Sequence, residues 1–160
     1  MSEIKQELIN SRFNFNHILN IEDCLIFKEE PKILAKKYCN ICQDNKDTSI
    51  QTKISSAPLV LIIILDRGTK NIDFKEPFDF HEMIDIKNYV EFPQPDNKYF
   101  LSGVISFMGN YEHHIAFCRM SENSKWYCYN DSVVTESNFQ EINTRGIPYI
   151  LFYQKLKIKI

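Results

Sequence analysis

One stretch, from Tyr99 to Val134, constrains the fold of this chain more than any other. It holds two apolar runs rich in β-branched and aromatic residues, separated at Gly109 and Asn110, and then a polar turn over residues 121–125. This pattern predicts three consecutive antiparallel strands, with the third beginning at Lys125. Neighbouring strands bring residues that are distant in the sequence close together. Side chains at adjoining ends of these strands are therefore candidates for a functional site.

Polar side chains stand at two of those strand ends. His113 and His114 begin the second strand, and Asn130 and Asp131 end the third. A histidine that acts as a general base needs a partner on one ring nitrogen, so that the other nitrogen can take a proton from a nucleophile. The pattern therefore predicts an imidazole beside Asn130 and Asp131. A simple strand-ending turn is the alternative for this pair, since Asn and Asp favour turns.

The same stretch resembles the C-terminal part of the catalytic domain of ubiquitin-specific proteases, the papain-like cysteine deubiquitinases. The resemblance rests on the histidine pair before an aliphatic strand, on Trp-Tyr-Cys-Tyr-Asn-Asp at residues 126–131, and on the closing strand at residues 148–153. It implies that His114 is the general base, that Asn130 orients it, and that Asp131 is the acidic residue beside them.

Three positions depart from the family pattern in this alignment. His113 stands where the family has the glycine before its base, Ile115 where it has the following tyrosine, and Phe107 where it has a histidine near the glycine loop. In the family these positions line the narrow channel for the tail of ubiquitin. The resemblance therefore implies an altered mouth of the active site.

The fold class that the resemblance implies is α+β. We expect a mixed, mostly antiparallel sheet with short helices, equivalent to the palm and fingers of the family's domain without its helical thumb. Residues 1–17 are predicted to be an N-terminal extension, and residues 18–160 the domain. The run from Leu59 to Leu65 does not alternate, which predicts a strand buried on both faces.

The family takes its nucleophilic thiol from an Asn-x-Gly-x-x-Cys-Tyr box, and the 160 residues contain no such box. Of the five cysteines, Cys24, Cys118 and Cys128 lie in apolar patterns that are typical of a core. The base is thus predicted to lack a thiol within this chain. Because a catalytic nucleophile and base act as a unit, the chain alone is expected not to cleave ubiquitin.

The two remaining cysteines, Cys39 and Cys42, have the spacing of half a zinc knuckle. A tetrahedral site needs two more ligands, and the family's other Cys-x-x-Cys, which lies upstream, has no counterpart here. Two interpretations stay open: a zinc site completed by distant residues, or a turn with two free thiols. No other cofactor is expected.

Several partners and locations are disfavoured by composition. A net charge of −2 gives no electrostatic reason to expect nucleic acid. The longest apolar run, residues 59–65, is too short to insert across a membrane, and the polar N-terminus does not resemble a signal peptide. An odd number of cysteines favours free thiols in a reducing compartment, so we expect an intracellular protein of the cytoplasm or nucleus.

Three functions follow from these observations. The first is a truncated, catalytically inactive binding or structural subunit, whose protein partner covers the face left by the missing thumb. Ubiquitin is a second candidate partner of such a subunit. The second is the C-terminal part of a thiol-dependent deubiquitinase, with His114 as general base and the cysteine supplied elsewhere. The third is a small zinc module built on Cys39 and Cys42.

Overall fold

The computed structural model describes residues 18–29, 31–65, 78–93, 97–108 and 113–155. The predicted N-terminal extension, residues 1–17, and the loop at residues 109–110 lie outside these ranges.

The described elements alternate short helices with strands. In chain order they are β1 (Leu19–Asn20), α1 (Ile21–Glu29), β2 (Lys32–Cys39), β3 (Asp44–Ile50), β4 (Val60–Ile64), β5 (Phe78–Asp79), β6 (Met83–Asp85), a 3₁₀ turn (Lys87–Tyr89), β7 (Lys98–Met108), β8 (His113–Arg119), β9 (Trp126–Asn130), β10 (Val133–Ser137), α2 (Phe139–Arg145) and β11 (Ile147–Lys155). Neither of the two α-helices in the described ranges is long and apolar enough to cross a bilayer.

A seven-stranded sheet organises the molecule. Its strands follow the order β10–β9–β8–β7–β11–β4, with β6 paired to β7, and all of these pairings are antiparallel. Strands β2 and β3 form a separate two-stranded hairpin, and β1 pairs in parallel with β5. The prediction of a mostly antiparallel sheet with few short helices is confirmed.

Strands β7, β8 and β9 are the three strands predicted from the opening stretch. Met108 lies opposite His113, and Ala116 lies opposite Tyr129. As predicted, β8 begins at the histidine pair and β9 ends at Asn130. This register sets the start of β8 beside the end of β9.

One face of the sheet carries the core. Val104, Phe117, Cys128 and Leu151 are buried on it, and Ile142 of α2 belongs to the same buried cluster. Side chains alternate between the two faces along a strand, so the buried positions recur at every second residue of β8 and β9.

Two buried tyrosines tie this sheet to the segments packed against it. The Tyr153 hydroxyl donates to the carbonyl of His81 over 2.7 Å, and the Tyr99 hydroxyl donates to the carbonyl of Pro58. Both tyrosine side chains are fully buried. A buried hydroxyl that keeps its hydrogen bond avoids the cost of desolvation, so these bonds fix the strand positions without a penalty.

Strand β4 differs from its prediction. It pairs with β11 and is an outermost strand of the sheet in the described part of the chain. Val60, Ile62 and Ile64 are 49%, 55% and 63% exposed, whereas Leu61 and Ile63 are half-buried and pack against the core. The prediction that this strand is buried on both faces is wrong here, because the residues described cover only one of its faces.

The two α-helices that the structure describes each begin at an asparagine cap. Asn20 Oδ1 accepts from the amide of Asp23 over 2.9 Å in α1, and Asn138 Oδ1 accepts from the amide of Glu141 over 3.0 Å in α2. Helix α2 is followed by Gly146, where a Cβ atom would lie 2.8 Å from Cβ of Ser106. The absence of a side chain at Gly146 therefore lets the chain pass close to β7.

Candidate catalytic site

A histidine and an asparagine meet where β8 begins and β9 ends. Nε2 of His113 lies 2.6 Å from Oδ1 of Asn130. The same ring nitrogen is 3.9 Å from a carboxylate oxygen of Asp131. The structure thus brings an imidazole, an amide and a carboxylate together from two neighbouring strands.

The alternation of the strands explains why His113 faces Asn130. His113, Ile115 and Phe117 occupy every second position of β8, so their side chains project from the same face of the strand. Ile115 and Phe117 are buried in the core, so this is the core face of β8. On β9, Asn130 has the same parity as the buried Trp126. The two side chains therefore project from the same face and meet diagonally across the strand pair.

His114 lies elsewhere, and the prediction that it is the imidazole beside Asn130 is wrong. Its ring is exposed and has its centroid 5.3 Å from that of Phe107 and 6.0 Å from that of Tyr149. Successive strand residues point to opposite faces, so His114 cannot share a face with His113. The sequence held the signal: the parity of Ile115 and Phe117 could have identified His113 as the inward histidine.

A one-residue shift of the family alignment accommodates this geometry. If His113 takes the position of the family's base, His114 takes the position directly after it, where the family has a tyrosine. Ile115 then becomes an ordinary buried strand residue, which agrees with its burial in the core. Phe107, the third departure from the pattern, is half-buried and contacts the ring of His114.

The acceptor oxygen of Asn130 determines which ring nitrogen of His113 carries the proton. An amide oxygen can only accept a hydrogen bond, so Nε2 of His113 must carry the proton in its bond to Asn130 Oδ1. This tautomer leaves Nδ1 with a lone pair. The pair can therefore take a proton at Nδ1 from a nucleophile, while Asn130 holds the ring in place.

Asp131 also forms the turn between β9 and β10. Its φ of 53° lies in the left-handed region, which Asp and Asn adopt more readily than most residues. Its side chain is 81% exposed, so water screens the attraction between its carboxylate and the imidazole once the ring is protonated. The turn interpretation of Asn130 and Asp131 and the orienting interpretation are thus compatible.

Neither cysteine of strands β8 and β9 makes a hydrogen bond or an ionic contact with His113. The polar contacts of His113 with the described residues are those with Asn130 and Asp131. Cys118 lies five positions along β8 with the opposite parity, and burial raises its pKa. Cys128 has the parity of Asn130 but is buried in the core, and burial raises its pKa as well.

Cys39 and Cys42 lie at the tip of the β2–β3 hairpin, apart from the seven-stranded sheet. The amide of Cys42 donates to Sγ of Cys39 over 3.5 Å. This amide, the Cys42 thiol and the amide of Ile41 all lower the pKa of the Cys39 thiol. Among the described residues there is no group of three or more His, Cys, Asp or Glu side chains that is arranged to hold a metal ion. The pair therefore supplies half of a tetrahedral zinc site, and the described residues do not fit the whole.

The chain is similar to proteins of one known family. The ubiquitin carboxyl-terminal hydrolase family profile matches residues 2–153. Among curated relatives, the putative ubiquitin carboxyl-terminal hydrolase 11 of Arabidopsis thaliana is 28% identical over 130 residues, which cover 75% of this chain and 14% of that protein. Ubiquitin carboxyl-terminal hydrolase 12 of Saccharomyces cerevisiae is 27% identical over 147 residues, or 84% of this chain and 12% of that protein.

A solved structure shares the fold. The structure of the SAGA Ubp8/Sgf11/Sus1/Sgf73 DUB module bound to ubiquitin aldehyde contains a chain that matches with a TM-score of 0.75 and 25% identity, over 91% of this chain and 35% of that chain. The present chain thus spans a minor part of the proteins it matches. With the family profile matched over nearly its whole length, this chain belongs to the ubiquitin carboxyl-terminal hydrolase family.

Proposed function

We propose that these 160 residues form the base-bearing part of a thiol-dependent ubiquitin hydrolase. His113 is the general base and takes a proton at Nδ1, Asn130 orients it through Nε2, and Asp131 supports the imidazolium that forms. The observation that carries this proposal is the 2.6 Å contact between His113 Nε2 and Asn130 Oδ1, which selects the tautomer a base requires.

In this proposal the thiol that His113 activates comes from outside the 160 residues, since these contain no Asn-x-Gly-x-x-Cys-Tyr box and burial raises the pKa of both Cys118 and Cys128. A nucleophilic cysteine has to lie within hydrogen-bond reach of the base, about 3 Å. We therefore expect the chain alone to leave ubiquitin conjugates intact. The substrate proposed for the assembled site is the carboxyl-terminal bond of ubiquitin, in line with the family and with the ubiquitin aldehyde bound by the Ubp8 module.

Reconstitution tests this proposal. The chain is mixed with the cysteine-bearing helical lobe of a relative, and hydrolysis of a ubiquitin–fluorophore ester is followed. We expect hydrolysis from the mixture and none from either part. His113→Ala should lower the rate by roughly 100- to 10,000-fold, the usual contribution of a general base. His114→Ala is the matched control, since it removes the neighbouring imidazole on the other face. A greater loss from His114→Ala, or no hydrolysis when the two parts are shown to bind, would overturn the proposal.

A second function is favoured by the exposed apolar side chains of β4. Val60, Ile62 and Ile64 line one side of this strand, and each is about half or more exposed. Contiguous exposed apolar surface normally marks a protein interface. In this alternative the chain is a catalytically inactive subunit that binds a partner through the face left by the missing thumb. It then binds ubiquitin without cleaving it.

One experiment distinguishes the two proposed functions. In the subunit alternative, the purified chain associates with a partner through β4, and Ile62→Lys abolishes that association without unfolding the protein. A chain that is monodisperse and monomeric at all concentrations, and that gains hydrolysis when the cysteine-bearing lobe is added, supports the hydrolase proposal and removes the subunit alternative.

A further inference from the structure

Strand β10 is an outer strand of the seven-stranded sheet. It pairs with β9 over its whole length without a register shift, and none of the other described strands pairs with it. Two residues, 131 and 132, join the two strands. A two-residue hairpin loop is flanked by a hydrogen-bonded pair, here Asn130 and Val133, and such pairs alternate with pairs whose main-chain groups point outward. The amides and carbonyls of Val134 and Glu136 therefore face the outer edge of the sheet.

This edge lacks the features by which proteins usually prevent the addition of another strand, which are proline, bulges and projecting charges. The strand contains no proline, and Val133 and Val134 are 58% and 52% exposed on its two faces. Its charged residue, Glu136, is held by Lys125, whose Nζ donates to both carboxylate oxygens over 2.9 Å. Because Lys125 immediately precedes β9, the charge of Glu136 is neutralised from the side of β9.

The edge of β10 begins beside the candidate catalytic pair. Val133 lies directly opposite Asn130, and Asn130 contacts His113. A chain added to this edge would lie three strand spacings from β8, or roughly 14 Å. About five extended residues span that distance. A chain that binds along β10 can therefore continue to the imidazole.

We propose that the outer edge of β10 binds an extended segment of the protein that is conjugated to ubiquitin, close to the bond that is cleaved. The inference rests on the proposed hydrolase function and names a part of the substrate beyond ubiquitin. The segment adds to the sheet as a further strand. Its main chain exchanges hydrogen bonds with Val134 and Glu136, and its successive side chains pack on Val134 at one face and on Val133 at the other.

The chemical class of this segment follows from the mode of binding. Main-chain hydrogen bonds give the affinity, so many sequences are accepted, whereas proline at a bonding position is excluded because it has no amide hydrogen. The segment must also be free to extend. A flexible tail or loop that carries the conjugated lysine meets both requirements.

The reconstituted hydrolase tests the inference with two substrates. One is the ubiquitin–fluorophore ester, which has no peptide on the leaving side. The other is ubiquitin joined by an isopeptide bond to the lysine of a short peptide of alternating threonine and valine. Val134→Pro removes an outward amide and no bond to β9. We expect it to raise KM for the peptide conjugate by about 5- to 10-fold, as the loss of a main-chain hydrogen bond would, and to leave the ester rate unchanged.

Val134→Thr is the matched control, because it keeps the amide and should behave as the parent chain does with both substrates. Should Val134→Pro unfold, N-methylation of alternate residues of the peptide removes the same kind of hydrogen bond from the side of the substrate. It should raise KM by a similar factor. Equal KM values for the methylated and unmethylated conjugates would overturn the inference.

Binding to the full chain alone separates this inference from the hydrolase proposal. Fluorescence anisotropy of the labelled free peptide measures association without any reaction. Ester hydrolysis by the mixture, with no binding of the peptide to the chain, would overturn the inference and leave the hydrolase proposal intact. Binding that N-methylation abolishes, without ester hydrolysis by the mixture, would support an edge that binds extended chains and contradict the hydrolase proposal.

Discussion

Nε2 of His113 lies 2.6 Å from Oδ1 of Asn130, across the junction of strands β8 and β9. An amide oxygen donates nothing, so the contact fixes the tautomer of the imidazole as well as its orientation. In the proposed function this pair acts as a base and its orienting partner. Variants at this contact therefore test that function directly.

Replacing Asn130 should separate orientation from basicity. In the reconstituted hydrolase, Asn130→Ala removes the acceptor and should lower the rate by about 10- to 100-fold, the size of effect seen when the outer partner of a functional histidine is lost. Asn130→Asp keeps an acceptor oxygen and should retain most of the activity. Rates of ubiquitin–fluorophore hydrolysis provide the measurement. Equal rates for the alanine variant and the parent chain would argue against an orienting role.

The hydrogen bond of Tyr153 should contribute to stability. Tyr153→Phe leaves the His81 carbonyl without its donor, in a site where the tyrosine is fully buried. We expect the free energy of unfolding to fall by about 1–2 kcal/mol, as measured by urea denaturation. Tyr127→Phe is the control, because that hydroxyl is engaged with the exposed Asn123 amide over 3.3 Å and should matter little.

The same tyrosine should make the protein sensitive to alkali. Burial, with smaller effects from Glu22 and Asp79, raises the pKa of Tyr153 well above its usual value. Above pH 10 the unfolded chain therefore loses a proton that the native state keeps, so stability must fall as the pH rises from there. Thermal melts between pH 9 and about pH 11 should show this decline, and the decline should be shallower in Tyr153→Phe. Parallel declines in the two proteins would contradict this assignment.

Gly146 should tolerate no side chain. Its φ of −175° is extended and suits any residue, but an added Cβ would lie 2.8 Å from Cβ of Ser106 and 3.5 Å from Sδ of Met108. Gly146→Ala should therefore cost about 1–3 kcal/mol, as overpacking of a core does. Gly103→Ala is the matched control, since the nearest atom to its added Cβ would be 3.4 Å away. The denaturation midpoints of the two variants provide the measurement. Similar losses of stability in both variants would contradict a steric origin.

Thiol reactivity should follow burial. Burial raises the pKa of Cys118 and of Cys128, whereas hydrogen bonds lower the pKa of Cys39. The thiolate is the form that reacts, so at neutral pH iodoacetamide should label Cys39 first and the two strand cysteines much later. Peptide mapping over time gives the order. Early labelling of Cys128 would show that the core around it opens.

The sequence by itself determined the three-strand meander, because alternation and turn residues are local signals. The mostly antiparallel class of the whole sheet followed from the resemblance to a family. It also placed the chain in a family through Trp126, Asn130 and Asp131. What it left open was which of two adjacent histidines meets Asn130, because residues 115–118 are all apolar and only the larger size of Ile115 and Phe117 favours His113 as the inward one.

The tertiary structure decided that question in favour of His113, since one register slip turns every side chain of a strand to the other face, and the burial of Ile115 and Phe117 fixes the register. It likewise decided that β4 is an outermost strand with one face exposed. Burial of a strand depends on what packs against it from elsewhere in the fold, and no run of apolar letters contains that information.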